Sequence, residues 1–195
     1  MSSILSFGVP ILAIIVAVVI VFAMGYVKAP PDCPLRKITV QDLMDRTQMK
    51  RQSFYYHFQD IRDVLAWICT QQLVLPLQSR ADLCFEDWVM CGLRLLNEDR
   101  GFYRRVLNFS EPAALQSFCE ELARPRVAEL LFPDAAGSLS ENQSFAVAFG
   151  TQALVGQVSG FLTGRGELNE AQTLGRIRFL LQTLGLDGTK PPRAE

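Results

Sequence analysis

The sequence predicts an all-α fold, and three observations support that prediction. Apolar residues recur every three or four positions through most of the chain, no stretch alternates as a strand would, and capping pairs such as Asn169 with Gln172 precede apolar runs. No internal repeat is present in the 195 residues. The expected order is an apolar helix over 1–30, a linker over 31–37, two short helices over 38–60, a helical domain over 61–186 and a disordered tail over 187–195.

The N-terminal helix has the character of a membrane span. Residues 1–27 contain no charged side chain, and residues 7–27 supply the roughly 20 positions that a helix needs to cross the hydrocarbon core. The alternative, a cleaved signal peptide, lacks its basic start, because MSSILSFGVP contains neither Lys nor Arg. The nearby cationic residues begin at Lys28, after the span, which predicts a single-pass protein of the cytoplasmic membrane with its C-terminal part in the cytoplasm. Without a retained span, the chain would be cytoplasmic.

Residues 38–58, ITVQDLMDRTQMKRQSFYYHF, predict a helix-turn-helix. Thr39 and Asp42 form a capping box at the start of the first helix, and Phe54 and Phe58 lie one turn apart in the second. The inward face of the first helix comprises Val40, Leu43, Met44 and Thr47. Two short helices joined by a short turn form a helix-turn-helix. In such motifs the second helix enters the major groove of double-stranded DNA.

Local charge agrees with a DNA partner. From Arg36 to Phe58 the chain carries five basic residues against two acids, although the whole chain has a formal net charge of −1. The basic residues are Arg36, Lys37, Arg46, Lys50 and Arg51, and the acids are Asp42 and Asp45. Free N–H groups at Thr39 suit a phosphate oxygen. The start of the second helix meets base edges, and its residues there are Lys50, Arg51, Gln52 and Ser53.

The string KITVQDLMDRTQMKRQSFYYHF resembles the DNA-binding motif of TetR-type (TetR/AcrR) transcription regulators, in which FYYHF is the most recognisable part. This resemblance implies a homodimeric regulator, usually a repressor, with a small-molecule or protein effector. It also implies that Tyr55, Tyr56 and His57 face the sugar-phosphate backbone. The string FYYHFQDI with Trp67 is similar to a TetR subgroup that includes dihydroxyacetone-kinase operon regulators.

Three departures from the TetR pattern are visible. Gln48 occupies the turn where the family usually has Gly, and Gln59 stands where a Lys often contacts phosphate. The first helix of the usual domain is missing, since the apolar span takes its place. The segment GYVKAPPD, residues 25–32, resembles the N-terminal membrane anchor of flotillin-type proteins, and the likeness covers residues 7–32.

The region after the motif predicts a helical regulatory and dimerisation domain. The expected helices cover 61–75 up to Pro76, 81–97, 100–108, 110 toward Pro125 and Phe132, 141–163, and a last helix after Asn169. Glycines four residues apart on one face of the penultimate helix permit close approach of another helix. With the resemblance, they predict a dimer interface of Gly156, Gly160, Gly164, Ile177 and Leu181. Close packing within one subunit, or fraying of the helix end, would explain the same glycines.

Aromatic residues at helical spacing indicate either a plain core or an effector pocket. The pocket set is Trp67, Phe85, Trp88, Phe102, Tyr103, Phe109 and Phe118. The five cysteines form no C-x-x-C pair, which indicates buried thiols, and His57 is the single histidine. We expect no enzyme activity, no metal site and no cofactor. Two alternatives to a tethered regulator fit the same residues: a membrane-anchored interaction protein with a non-functional helix-turn-helix, and a chimeric reading frame.

Overall fold

The computed structural model describes residues 35–47, 51–80, 82–109, 113–135, 138–164 and 169–190. These residues are mostly helical and include no strand, which confirms the all-α prediction. The predicted membrane span over 7–27 lies outside the described residues, as do Gln48 and Lys50 of the helix-turn-helix. The chain divides into two compact units, Met1–Cys69 and Thr70–Glu195.

The first unit contains three described α-helices after a 3-10 turn at Leu35–Lys37. They are α1 (Val40–Thr47), α2 (Arg51–His57) and α3 (Ile61–Cys69). Asp60 caps α3, because its Oδ1 accepts the backbone N–H of Arg62 at 2.6 Å and that of Asp63 at 3.2 Å. The core of the unit is apolar throughout, and its buried side chains include Leu35, Met44, Phe54, Phe58, Val64, Leu65 and Ile68.

The second unit begins with a π-helical segment, Thr70–Val74, followed by α4 (Leu75–Gln78), α5 (Phe85–Glu98), α6 (Arg100–Phe109), α7 (Ala113–Leu131), α8 (Glu141–Thr163) and α9 (Glu170–Thr183). The most extensive helix pairing joins α7 to α8, and α9 packs on both α5 and α8. Predicted bounds hold best for α8, which runs from Glu141 to Thr163 as expected. The predicted capping box of Asn169 and Gln172 is confirmed at the start of α9.

Two predicted helix boundaries are wrong. Pro76 does not stop a helix but lies in the first turn of α4, directly after the π-helical segment. The residues before Pro76 are helical without a break, and the wider π-helical turn over Thr70–Val74 directly precedes the position where the proline removes an N–H. The helix expected from residue 81 begins at Phe85, where the Cys84 thiol accepts the Asp87 backbone N–H at 3.5 Å.

The C-terminal segment is also better ordered than predicted. The Gly188 carbonyl accepts the Glu86 backbone N–H at 3.0 Å, and the Leu186 N–H donates to the Leu181 carbonyl at 2.8 Å. Asp187 accepts both the N–H and the hydroxyl of Thr189. A polar sequence with two prolines resembles a tail, yet these main-chain bonds tie residues 185–190 to α5 and α9. Residues 191–195 lie outside the described part of the chain.

The fit around Gly188 yields a stability prediction. A Cβ at this position would lie 2.9 Å from both Glu86 Cγ and Leu181 Cδ1, so Gly188→Ala should lower the free energy of unfolding by about 1–3 kcal/mol. Gly175→Ala is the matched control, because its Cβ would meet no heavy atom within 4 Å and it removes a helix-interior glycine. Urea denaturation of the three proteins measures the difference. Equal midpoints for Gly188→Ala and the parent would contradict the packing argument.

Candidate nucleic-acid interface

Helix α2 has one face in the core and one in solvent. Phe54 and Phe58 are only 3% and 8% exposed, with ring centroids 5.7 Å apart. Tyr55 and Tyr56 are 49% and 84% exposed. The second helix of the predicted helix-turn-helix therefore buries its apolar side and presents the residues expected to contact DNA.

The exposed face of α2 is cationic and aromatic. Arg51 and Gln52 at the helix start are exposed, and the Arg51 guanidinium carbon lies 5.8 Å from the centroid of the Tyr55 ring. No acidic side chain occurs in the seven residues of α2. His57 is half-buried, and its ring meets that of Tyr56 edge-on at 4.8 Å. A guanidinium, an amide and phenol hydroxyls can donate to phosphate oxygens and base edges.

The start of α1 was predicted to bind a phosphate through free N–H groups, and its hydrogen bonds do not favour this. The Thr39 N–H is not free for a phosphate, because it donates to Asp42 Oδ2 at 2.8 Å. The Asp42 N–H donates in turn to the Thr39 hydroxyl at 3.2 Å, which completes the predicted capping box. The Asp42 carboxylate suits the positive end of the helix dipole, and it also repels an approaching phosphate. Phosphate contact at Thr39 is thus less favourable than the sequence indicated.

Several predicted contacts cannot be placed. Lys50 and the side chain of Ser53 lie outside the described residues, as do the side chains of Arg36 and Arg46. Lys37 is exposed in the 3-10 turn. The structure therefore brings Arg51, Gln52, Tyr55 and Tyr56 together on one surface, which we call the α2 face.

The predicted dimer residues divide into three groups. Gly156 and Gly160 face open space, because a Cβ on either would meet no heavy atom within 4 Å. Close packing against the described part of the subunit therefore does not explain them. Gly164 ends α8 in the left-handed conformation, with φ of 74°, so its role is that of a helix C-cap. Ile177 and Leu181 are each 7% exposed and pack inside the subunit, which corrects their assignment to a surface.

Sequence reasoning missed the apolar side chains that do reach the surface of the second unit. Phe145 and Phe149 on α8 are 73% and 66% exposed, with stacked rings 6.4 Å apart. On α9, Phe179, Leu180 and Leu184 are exposed as well. The i, i+4 spacing of Phe145 and Phe149 on the face of Gly156 was the available signal. We call these five side chains with Gly156 and Gly160 the α8–α9 face.

The predicted aromatic residues do not line one common pocket. Phe102 and Tyr103 are fully buried core residues, and Trp67 belongs to the first unit, where it meets Phe58 edge-on. Trp88 does line a cavity of about 50 Å³ in the second unit, whose other walls include Leu77, Leu122, Val155 and the Cys119 thiol. Drug-sized ligands occupy roughly 300–1,000 Å³, so this cavity is too small for one.

A larger open cleft of about 420 Å³ lies between the end of α7 and residues 185–190. Its lining is mixed, with Phe85, Leu130 and Leu186 beside charged residues such as Arg126 and Lys190. The guanidinium of Arg126 donates to Glu129 at 2.9 Å and to the Leu83 carbonyl. This cleft was not indicated by the sequence, because its walls come from three distant segments.

Within the described ranges, no group of His, Cys, Asp or Glu side chains could hold a metal ion. The same ranges contain one helix, Glu141–Thr163, that is long and apolar enough to cross a membrane by length and composition alone. Core helices of soluble proteins meet that criterion as well, and α8 packs extensively on α7.

Comparisons with known proteins agree with a nucleic-acid-binding role for the α2 face. No protein-family model matches the chain. Over 71 residues the chain is 28% identical to the HTH-type dhaKLM operon transcriptional activator DhaS of Lactococcus lactis subsp. lactis (strain IL1403). That stretch is 36% of this chain and 38% of the length of the relative.

The solved structure of a dihydroxyacetone kinase operon activator DhaS is also similar. It superposes with a TM-score of 0.62 over 87% of this chain and 96% of that chain, at 18% identity, which shows that the two share an all-helical fold. Together the sequence and structure comparisons support a helical transcription regulator.

The buried thiol at the small cavity gives a pH-dependence prediction. Burial, and then the nearby Glu120 carboxylate, raises the pKa of Cys119 to about 11. An unfolded thiol, with a pKa of about 8.5, ionises first, so this group should lower the free energy of unfolding as pH rises from about 8.5 to about 11. Between about pH 8 and about pH 10.5, the urea midpoint should fall more for the parent than for Cys119→Ser. The same pH dependence in both proteins would show that the Cys119 thiol is not held protonated by burial.

Proposed function

We propose that this chain is a sequence-specific, DNA-binding transcription regulator of the TetR type that acts as a homodimer. The α2 face is the observation that supports the proposal best: two phenols, a guanidinium and an amide are presented to solvent by a helix whose other side is anchored in the core. The sequence similarity to a helix-turn-helix activator supports the same class. Binding of DNA, not catalysis, is the proposed activity.

The direction of regulation is part of the proposal. The family resemblance implied a repressor, whereas both matched proteins are named activators. Activation is therefore the direction to test first, with a reporter placed behind promoter DNA near the gene. The proposed effector is a small molecule or a protein, and the cleft beside Arg126 has the volume for a small molecule.

The proposed homodimer uses the α8–α9 face. Apolar patches of this kind on a soluble unit mark interaction surfaces, and the glycines allow two helices to approach closely. A dimer would present two α2 helices to half-sites about one turn of DNA apart, or a multiple of that spacing. Dimerisation and DNA binding are thus two parts of one proposed mechanism.

The proposed location is the cytoplasmic membrane, through residues 7–27. The support is the sequence alone, in which no charged side chain occurs before Lys28. A tethered regulator would search DNA close to the membrane, and its DNA-binding unit would lie on the cytoplasmic side.

DNA binding should depend on the α2 face. Arg51→Ala should weaken binding to the best operator by about 1–3 kcal/mol, because a guanidinium is lost from the helix start. Tyr56→Phe, which removes one exposed hydroxyl, should weaken binding to all sequences alike. The matched control is Arg62→Ala, an equally exposed arginine on α3. Mobility-shift titrations at several salt concentrations measure these effects. If the parent shows no salt-sensitive, sequence-dependent binding, or if Arg51→Ala and Tyr56→Phe both bind DNA as the parent does, the DNA-binding proposal fails.

A large side chain at Gly156 should weaken self-association without lowering the stability of the monomer. Gly156→Leu places a side chain in open space within the subunit, so the free energy of unfolding of the monomer should not fall. The same side chain would hold apart two α8 helices and should shift sedimentation toward monomer. Gly101→Leu on α6 is the control, since its Cβ is equally free of neighbours. Unchanged dimerisation of Gly156→Leu would place the interface elsewhere.

Membrane attachment should require the apolar segment. Deleting residues 1–30 should move the protein from the membrane fraction to the soluble fraction. Val18→Arg should weaken insertion by about 2.5–3.5 kcal/mol, whereas Val18→Leu should not. Extraction of the membrane fraction with carbonate shows whether the protein stays in the bilayer. Recovery of the parent protein in the soluble fraction would contradict the proposed membrane attachment.

A further inference from the structure

The Arg51 side chain at the start of α2 contacts an aromatic ring instead of a carboxylate. Its guanidinium carbon lies 5.8 Å from the centroid of the Tyr55 ring, one helical turn further along. A cation is attracted to the face of an aromatic ring within roughly 6 Å of the centroid. The ion pairs among the described residues all involve other cationic side chains. The ring of Tyr55 is therefore the partner of Arg51 before DNA is bound.

The kind of contact matters for what Arg51 can still bind. A carboxylate pairs with the edge of a guanidinium and occupies its N–H donors, whereas an aromatic ring attracts the cation through its π face and accepts none of those N–H groups in an ordinary hydrogen bond. The donors of Arg51 thus stay available to a ligand. Two parallel N–H groups of an arginine match the O6 and N7 acceptors that guanine presents in the major groove.

The Tyr55 ring is itself held in place from the core. It meets the ring of Phe54 edge-on, with centroids 5.4 Å apart and the ring planes at 90°, and Phe54 is only 3% exposed. Tyr56, the next residue, differs in both respects. Its side chain is 84% exposed, and its ring contacts His57. Of the two exposed tyrosines of α2, Tyr55 alone connects Arg51 to the core.

We propose that Tyr55 is a positioning residue for base recognition, which orients the Arg51 guanidinium so that two of its N–H groups reach the O6 and N7 of one guanine in the operator. This inference rests on the proposed DNA binding and adds a base and a role to it. A long side chain loses rotamer freedom when it forms two bonds to one base, and a ring that restricts it beforehand lowers that cost. The aromatic face of Tyr55 performs this role, and its hydroxyl does not.

The test measures recognition of guanine by the full chain. An operator selected with the parent protein is synthesised with each guanine replaced in turn by 7-deazaguanine, which lacks the N7 acceptor but still pairs with cytosine. The guanine penalty is the ratio of the dissociation constants of the substituted and the natural operator. The guanine bound by Arg51 is the one whose penalty is present in the parent and absent in Arg51→Ala.

Three substitutions separate the ring from its hydroxyl and from its position on α2. Tyr55→Leu removes the ring, and Tyr55→Phe removes only the hydroxyl. Tyr56→Leu is the matched control, because it removes a tyrosine ring of the same helix that contacts His57. Tyr55 is 49% exposed, and Tyr55→Met, with an unbranched side chain suited to a helix, serves if Tyr55→Leu does not fold. Circular dichroism and urea denaturation report folding.

We expect Tyr55→Leu to reduce the guanine penalty by about two- to fivefold, the size expected for an exposed contact between a cation and a ring. Tyr55→Phe should keep the penalty of the parent. Tyr56→Leu should weaken binding to the natural and the substituted operator alike, so that its penalty is also that of the parent.

Three results would overturn the inference while the DNA-binding proposal stands. They are a full guanine penalty in Tyr55→Leu, an equal loss of the penalty in Tyr55→Phe, and an operator in which no guanine penalty depends on Arg51. A parent chain without sequence-dependent binding would overturn both the inference and the proposed function.

Discussion

The aromatic contacts of Phe54, Phe58 and Trp67 are the interaction on which the candidate DNA-binding surface depends. Helix α2 has seven residues, and an isolated helix shorter than about 12 residues is marginal in water. Burial of Phe54 and Phe58 stabilises it by about 1.5–3 kcal/mol each, and Phe58 also meets Trp67 of α3 at 6.5 Å. The direction of Arg51 and Tyr56 is therefore a consequence of this small core.

In the second unit, as in α2, each of the last two helices has a buried side and an exposed side. Helices α8 and α9 each have a buried side that packs within the unit, and their exposed sides carry apolar residues among polar ones. A soluble unit rarely leaves such a surface uncovered, and glycine at two positions of the exposed side of α8 favours another helix as its cover. On α9 the side-chain types distinguish the two sides, because Leu174, Ile177 and Leu181 are buried whereas Gln172, Arg176 and Gln182 are exposed.

The sequence was sufficient for features that depend on local chemistry. The limits of α8, the capping boxes at Thr39 and Asn169, and the inward positions of Phe54 and Phe58 follow from side-chain type and spacing. Features built from distant segments could not be predicted in this way. The contact of the Gly188 carbonyl with Glu86 and the burial of Leu181 beside an exposed Leu180 depend on which helices meet, and no short-range pattern encodes that.

The near-neutral charge of the chain constrains how a regulator of this kind could bind DNA. With a formal net charge of −1, the chain as a whole does not attract DNA, so the attraction has to come from the cations around α2. Each phosphate contact contributes about 0.9 to the salt slope on B-DNA, and the five basic side chains between Arg36 and Phe58 limit one subunit to a modest slope. Tight, specific binding then requires two motifs held together at a fixed spacing. In the proposed homodimer, self-association through the second unit would bring two α2 faces to one DNA site.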